Sequence, residues 1–296
     1  EMCIRDSFWK DAIGRLMKNK VAVVCFFIIV LLILSCIIVP FFSPFESREQ
    51  HLGEVNKGFM TVCTDSRYEG QHHVHYFGTD NLGRDLFLRA FEGGRVSLMI
   101  AFAAVFVNLI VGLIYGGISG YIGGAVDTIM MRIVEIVNGI PYLIVVILLM
   151  MVLPKGIFTM VVAYGITGWT GMARLVRGQV LQLKSQEYIV AAEAMGAKSS
   201  RIIAKHLIPN ALSVIIINVT LAIPSAIFTE AFLSYIGLGV PVPQPSWGVL
   251  AKGGQDVFMT YPYQLVVPAV AISLTMLSFN LLGDGLRDAF DPRLRR

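Results

Sequence analysis

The stretch EYIVAAEAMGAKSSRIIAKHLIP, residues 187–209, is a polar segment set between long apolar segments of the chain. Gly196 can adopt the left-handed conformation that ends a helix, and Ser199 or Ser200 can cap the helix that follows. Pro209 suits the first turn of a further helix. The stretch therefore predicts a helix, a glycine turn and a second helix that leads into an apolar span. A short, exposed helix pair between two membrane spans is typical of a docking element.

The composition places the chain in a membrane. It has 296 residues, of which 55% are hydrophobic and 15% are charged, and its mean hydropathy is +0.69. Soluble domains carry about 25% charged residues. We therefore expect an all-α polytopic membrane protein, in which lipid and neighbouring helices cover the apolar side chains.

The four cysteines do not form a disulfide framework or a zinc motif. Cys25 and Cys36 lie in the first apolar segment, eleven residues apart, whereas Cys3 is terminal and Cys63 lies in a polar loop. We expect small apolar packing residues, because unpaired cysteines are usually buried and inert.

Six apolar segments are long enough to cross a bilayer, which takes about 20 residues of helix. The candidates are residues 21–42, 96–118, 128–152, 157–174, 211–235 and 264–283. The first has a basic flank but no small-residue cleavage site after it, so we interpret it as a retained anchor and not as a signal peptide.

The basic residues set the expected orientation, because Lys and Arg gather on the cytoplasmic side of membrane spans. They cluster before the first span, between the fourth and fifth spans, and after the last. With six spans, these three clusters fall on one side. Both termini and residues 187–209 are therefore expected in the cytoplasm. The predicted organisation is a cytoplasmic N-terminus at 1–20, an anchor helix at 21–42, an extracytoplasmic loop at 43–94, a five-helix domain at 95–284 and a cytoplasmic tail at 285–296.

Four glycines spaced four residues apart mark one face of the second span. They are Gly112, Gly116, Gly120 and Gly124. Small residues at this spacing let two helix backbones approach closely. Tight packing is the favoured interpretation, and a sliding surface for alternating access is the alternative.

Three prolines and one glutamate are candidates for a pathway or gate. Pro141, Pro224 and Pro268 are predicted inside the third, fifth and sixth spans, where proline tends to kink a helix. Glu230 lies near the end of the fifth span, and an ionisable residue within a span is a functional hypothesis by default. A kink that only sets the helix shape, and an interfacial acid with a cap partner, are the alternatives. Trp247 is expected to anchor at the interface.

The loop at 43–94 is rich in polar residues. Its histidines, His51, His72, His73 and His75, could capture a metal ion, but the favoured interpretation is a solvated loop without a metal site. Asp80, Arg84 and Asp85 are expected to form a structural corner where the loop enters the bilayer. At the inner end of the third helix, Asp127, Arg132 and Glu135 are expected to form a local ion-pair set.

No pattern for catalysis is present. The sequence contains no Gly-Lys dipeptide and therefore no phosphate-binding loop of the GxxxxGK[ST] type. It also has no HExxH or GxSxG motif. No catalytic residue is expected, and a partner would have to hydrolyse any ATP that drives the protein.

Several fragments resemble one known family when they are taken in order. They are FWKDAIGRLMKNKVAVV (8–24), FGTDNLGRD (77–85), the stretch 187–209, EAFLSYIGLGVPVPQPSWG (230–248) and NLLGDGLRDAFDPRLRR (280–296). Together they resemble the C-type membrane subunit of dipeptide and oligopeptide ABC importers. The resemblance implies the transmembrane domain of a type I importer, in the cytoplasmic membrane of a bacterium or archaeon.

Within this resemblance, residues 187–209 match the "EAA" coupling loop. Ala191, Ala192, Gly196 and Pro209 match it, whereas Val190 stands where the motif has its glutamate. The residues implied to contact an ATPase are Glu187, Ala191, Ala192, Glu193, Gly196, Ala197, Arg201, His206 and Pro209.

The resemblance also implies a set of partners. They are a second, related permease in a heterodimer, two cytoplasmic ATP-binding subunits and an extracytoplasmic solute-binding protein. ATP and Mg²⁺ would be used by the ATPase subunits, with no cofactor bound by this chain and no role for nucleic acid. The expected function is import of small peptides by alternating access.

Three alternatives stay open at this level. Within the family, nickel and other small solutes are carried by similar permeases. A secondary transporter or channel would be expected to show midplane charges and inverted repeats, and neither is clear. An intramembrane enzyme would need a catalytic pair, which the sequence lacks.

The predicted orientation can be tested with single cysteines in a background that lacks the native ones. We expect a membrane-impermeant thiol reagent to label Gln71→Cys on intact cells, and Ser199→Cys only after the cells are permeabilised. The opposite labelling pattern would reverse the orientation.

Overall fold

A computed structural model describes residues 11–64 and 73–290 of the chain. A helical stretch over residues 11–18 precedes the first long helix. The named helices are α1 Lys20–Phe42, α2 Leu86–Ile122, α3 Gly124–Asn138, α4 Tyr142–Val152, α5 Ile157–Thr167, α6 Trp169–Lys184, α7 Glu187–Ala194, α8 Ser199–Ile202, α9 Ile208–Tyr235, α10 Trp247–Asp256 and α11 Tyr263–Phe290. A 3₁₀ turn spans Leu52–Glu54, a π-helical turn spans Ile203–Leu207, and a two-stranded antiparallel sheet pairs β1 Thr61–Val62 with β2 Val74–His75.

Within the described residues, four helices are long and apolar enough to cross a membrane. They are α1, α2, the continuous stretch Ile203–Tyr235 that contains α9, and α11. Much of their apolar surface is exposed: on α1, Phe27 and Leu31 are 63% and 68% exposed. Such faces suit lipid or partner helices. The fold is therefore that of a multi-pass helical membrane protein.

The third predicted span, 128–152, is not a straight helix. It comprises α3 and α4, whose axes are bent by 78°. Pro141 therefore does not lie inside a helix but immediately before α4, after the C-cap residue Gly139 of α3. Proline disfavours the helical conformation in the residue before it, so the break falls where the sequence carries Gly-Ile-Pro.

The fourth predicted span, 157–174, is also interrupted. The apolar helix α5 has only 11 residues, and α6 starts after Gly168. The bent pair raises the number of candidate spans from four to five, and the total of six stays a prediction.

The two ends of the molecule are held by different contacts of α11. At one end the start of α1 lies against the end of α11, since a Cβ atom on Gly285 would lie 2.4 Å from the Cβ of Ala22. At the other end the first loop, residues 43–85, meets the start of α11. The Tyr263 hydroxyl donates to the Lys57 carbonyl at 2.8 Å, and the Gln264 amide donates to Asn56 Oδ1 at 2.8 Å.

The glycine face of α2 packs directly on the backbone of α6. An added Cβ would lie 2.5 Å from Met172 Cβ at Gly112, 2.3 Å from the Ala173 carbonyl oxygen at Gly116, and 2.9 Å from the Arg177 carbonyl oxygen at Gly120. Since real Cβ atoms do not approach so closely, only glycine allows this separation of the helices.

Gly124, the fourth glycine of the predicted face, does not share the contact with α6. It is the first residue of α3, its φ is +57°, and no atom lies within 4 Å of an added Cβ. Its freedom serves the turn between α2 and α3.

The packing of α2 on α6 can be tested with Gly120→Leu. We expect overpacking to cost about 1–3 kcal/mol and to lower the melting temperature of the purified protein by several degrees. Gly178→Leu, on the exposed face of α6 with nothing within 4 Å, is the matched control and should leave it nearly unchanged. Equal melting temperatures for the two variants would contradict the contact.

Candidate coupling site

Residues 187–209, here called the coupling segment, form two helices joined by a tight turn. The turn has the hydrogen bond of a Schellman motif, from the Ala197 amide to the Ala192 carbonyl at 3.1 Å. Gly196 takes φ +78°, and nothing lies within 4 Å of an added Cβ. The requirement for glycine at this position is therefore conformational and not a matter of space.

One face of the coupling segment is buried against α6 and α9. Ile189, Ile202 and Leu207 are each 0% exposed. They form a cluster with Val176 and Val180 of α6, which also includes Ala211 and Ile215 of α9. This apolar contact fixes the helix pair to the body of the protein.

The opposite face of α7 presents apolar side chains to the surroundings. Val190 is 55% exposed, Tyr188 is 39% exposed, and Met195, just after the helix, is 81% exposed. Ala191 is exposed as well. In the coupling-loop motif that residues 187–209 resemble, a glutamate stands at the position of Val190, so this chain has an aliphatic side chain there in place of a carboxylate.

The other predicted contact residues do not all lie on this exposed face. Glu187 and Arg201 are exposed, whereas Ala192 is only 7% exposed and packs inward. The alanine pair is therefore split: Ala191 can meet a partner, and Ala192 sets how closely α7 packs. Half-buried positions are taken by Ala197, His206 and Pro209. The side chain of Glu193 lies outside the described residues.

The coupling segment runs into α9 without a break. The helix α8, the π-helical turn and α9 follow one another directly, and Pro209 sits in the first turn of α9. The π turn was not predicted, because no residue pattern distinguishes it from α-helix. π turns within helices are frequent at functional sites.

A charge pair fixes α3 to α6 beside the coupling segment. The Arg177 guanidinium donates Nε to Asp127 Oδ1 and Nη2 to Asp127 Oδ2, both at 2.5 Å, and Ser119 Oγ donates to Asp127 Oδ1 at 2.6 Å. The prediction that Asp127 pairs with Arg132 and Glu135 is wrong for Asp127. Arg132 and Glu135 do pair, but with side chains 71% and 59% exposed.

The GTDNLGRD stretch forms the expected corner at the start of α2. Asp80 Oδ1 accepts from the amides of Leu82 and Arg84, and its Oδ2 accepts from Arg84 Nε at 2.7 Å. Asp85 caps α2, accepting from the Leu88 amide at 2.7 Å. Sequence reasoning missed Arg89, which is 1% exposed and donates Nη1 to the Ser47 carbonyl at 2.7 Å.

The histidines of the first loop do not behave as a solvated set. His51 and His75 are 1% and 0% exposed, and His73 is half-buried. His72 lies outside the described residues. His75 Nδ1 lies 2.7 Å from Asp85 Oδ2, and its Nε2 lies 3.1 Å from Glu54 Oε2. His75 therefore joins the 3₁₀ turn of the loop to the start of α2.

Hydrogen bonds and neighbouring charges shift the pKa values of His75 and Glu54. Burial opposes the charged form of His75, but the hydrogen bonds and charges of Asp85 and Glu54 outweigh it and raise the pKa of His75. Burial likewise opposes ionised Glu54, but hydrogen bonds from Thr64, Cys63 and His75 outweigh it and lower the pKa of Glu54.

Glu230 and the remaining prolines lie in packed surroundings. Glu230 is 1% exposed, and its Oε1 accepts from Ser234 Oγ at 2.8 Å. Pro224 and Pro268 are buried within α9 and α11. A role of these residues in a pathway or gate stays a prediction.

Trp247 is 1% exposed and is not an interfacial anchor. Its indole Nε1 donates to the Ala90 carbonyl of α2 at 2.9 Å, and its amide donates to Ser97 Oγ at 3.1 Å. A Cβ on Gly94 would lie 2.7 Å from the indole ring. The loop after α9 is thus fixed to α2.

Two family models match the chain. The model described as binding-protein-dependent transport system inner membrane component matches residues 108–296. The model described as N-terminal TM domain of oligopeptide transport permease C matches residues 7–58.

Curated relatives match nearly the full chain. The oligopeptide transport system permease protein OppC of Bacillus subtilis (strain 168) is 50% identical over 98% of this chain and 91% of its own length. The dipeptide transport system permease protein DppC of the same strain is 48% identical over 98% of this chain and 87% of its own length. OppC of Escherichia coli (strain K12) is 44% identical over 98% and 92%.

A solved structure supports the fold. A chain of the inward-facing MetNI methionine ABC transporter matches with a TM-score of 0.54 at 22% identity, over 69% of this chain and 97% of that chain. At this identity, the likeness concerns the fold alone.

The Asp127–Arg177 pair can be tested with a double-mutant cycle. We expect Asp127→Asn and Arg177→Gln each to lower the melting temperature of the purified protein, and the double variant to add little. The coupling should be about 1 kcal/mol, because the pair is bidentate but Arg177 is partly exposed. Arg132→Gln, from the exposed pair, is the control and should change little. Additive single effects would show that the pair contributes nothing.

Proposed function

We propose that this chain, which belongs to the family of binding-protein-dependent transport system inner membrane components, is the permease subunit of an ATP-driven peptide importer in the cytoplasmic membrane. Its task in this proposal is to convert movement of partner ATPase subunits into alternating access of a transmembrane pathway. A second, related permease would complete the pathway, and an extracytoplasmic binding protein would deliver the cargo.

The observation that carries the proposal is that the coupling segment buries one face and exposes the other. One side is fixed to α6 and α9 by residues that are fully buried. The other side exposes Tyr188, Val190, Ala191 and Met195. An apolar, exposed helix face on a rigid support is suited to fill a cleft in a partner protein.

The continuity of helix from Ser199 to Tyr235 supports the transmission of movement. A displacement of α8 would be carried along α9, since no loop separates them. The contact of α2 on α6 and the Asp127–Arg177 pair would carry the same displacement to α2 and α3. Such movement requires that the nucleotide state of the partners favours one conformation energetically.

The same proposal assigns ATP hydrolysis to the partner subunits. ATP and Mg²⁺ would be bound and used by the ATPase subunits, and this chain would contribute no catalytic residue. Peptide cargo is favoured because the curated relatives are named for oligopeptide and dipeptide transport.

The proposal can be tested with Gly196→Val in the assembled complex. A β-branched residue at φ +78° is strained by about 1–2 kcal/mol, so the turn should open and re-aim α7 against α8. Membrane insertion and pairing with the second permease should persist. We expect peptide uptake into proteoliposomes to fall severalfold, with weaker ATPase stimulation by the loaded binding protein.

Gly196→Asn is the matched control, because asparagine tolerates the left-handed conformation. It should retain most of the uptake. Wild-type uptake by Gly196→Val in a normally assembled complex would remove the support for a coupling role. Uptake of nickel but not of peptide by the wild-type complex would favour the small-solute alternative.

A further inference from the structure

The first loop brings together a set of side chains that the proposed transport function does not use. His51, Glu54 and Cys63 are 1%, 2% and 8% exposed. One ligand atom from each of them lies within 4.8 Å of the others. Imidazole nitrogen, carboxylate oxygen and thiolate sulfur are the three donor types of protein zinc sites.

Local backbone structure explains why these residues meet. His51 precedes the 3₁₀ turn Leu52–Glu54, and Glu54 ends it. Cys63 directly follows β1, and its amide donates to the His73 carbonyl at 2.8 Å, which continues the pairing of β1 with β2. The turn therefore places two donors over the hairpin, and the hairpin supplies the third.

Glu54 is held in place by several hydrogen bonds. Its Oε1 accepts from the Thr64 amide and from Thr64 Oγ1. Its Oε2 accepts from the Cys63 thiol at 3.3 Å and lies 3.1 Å from His75 Nε2. His75 is held in turn by Asp85 at 2.7 Å. Such chains of histidine and carboxylate orient ligands in metal centres.

An apolar wall encloses the group on one side. The ring of Phe45 stacks on His75 at 4.4 Å between centroids and lies 5.9 Å from His51. A cavity of about 330 Å³, lined partly by Phe45, His73 and Asp85, adjoins it.

We propose that His51, Glu54 and Cys63 bind a divalent cation of the zinc class, with His75 and Asp85 as the positioning residues. The sulfur and nitrogen donors favour zinc over Mg²⁺ or Ca²⁺, which take oxygen ligands. Tetrahedral bonds of about 2.0–2.3 Å separate the donors by ~3.5 Å. The three donor atoms lie within 4.8 Å of one another, and Glu54 Oε2 and Cys63 Sγ lie 3.3 Å apart, so small side-chain shifts reach this spacing. The proton that the Cys63 thiol shares with Glu54 leaves to solvent when the metal binds.

The role of the ion in this proposal is structural. It joins the 3₁₀ turn to the hairpin, and through His75 and Asp85 it fixes both to the first turn of α2. It is a resident ion and not the cargo, because the donors are buried in one chain and lie outside the candidate spans.

The experiment uses the purified complex without its binding protein, stripped with a chelator and titrated with Co²⁺ and then with Zn²⁺. We expect one Co²⁺ per copy of this chain, with a thiolate-to-cobalt absorption band that Zn²⁺ displaces. Zn²⁺ should also raise the melting temperature. Cys63→Ser should abolish the band and weaken Zn²⁺ binding at least tenfold, and Asp85→Asn, which keeps a side-chain oxygen for the cap of α2, should weaken it about 10–100-fold.

Cys25→Ser, in α1, is the matched control and should retain the band. Absence of a thiolate band and of any Zn²⁺ effect on the melting temperature of the wild-type complex would overturn the proposal. A band that persists in Cys63→Ser would overturn it too, because the ion would then use another thiol. The thiolate band and the effect of Zn²⁺ on the melting temperature are measured first on the wild-type complex, so they test the proposal even if a variant misfolds.

Discussion

The close approach of α2 to α6 is the contact on which the rest of the arrangement depends. Glycine has no side chain, so Gly112, Gly116 and Gly120 let the backbone of α2 approach that of α6 closely. A Cβ added at any of the three would lie 2.3–2.9 Å from atoms of α6. This contact positions the end of α6, from which the coupling segment follows after two residues. It also brings Arg177 to Asp127, so α3 is attached to the same unit.

At the opposite end, buried polar side chains hold the first loop against the start of α2. Asp80, Arg84 and Arg89 form one buried charged group, and Glu54, His75 and Asp85 form a second. Buried charges are costly unless they are paired and hydrogen-bonded. The two groups therefore specify one conformation of the first loop, and that conformation supports the start of α2.

Features with local causes were predictable from the sequence. The turn at Gly196 follows from the helix–glycine–helix pattern, and the corner formed by Asp80, Arg84 and Asp85 was expected where the first loop enters the bilayer. Four of the six predicted apolar segments lie in continuous helices long enough to cross a membrane. Features that depend on distant partners were not predictable: Asp127 pairs with a residue 50 positions away, and Trp247 packs against Gly94 of α2. Periodicity likewise did not reveal the bend at Pro141, because apolar side chains continue on both sides of it.

The π turn at Ile203–Leu207 has a consequence for the helical faces on either side of it. One additional residue in a turn rotates everything that follows by about 100° relative to a regular α-helix. A single helical wheel drawn from Ser199 to Tyr235 would therefore assign wrong faces to one of its halves. The side chains that α8 buries and those that α9 buries therefore follow two separate phases of the helix.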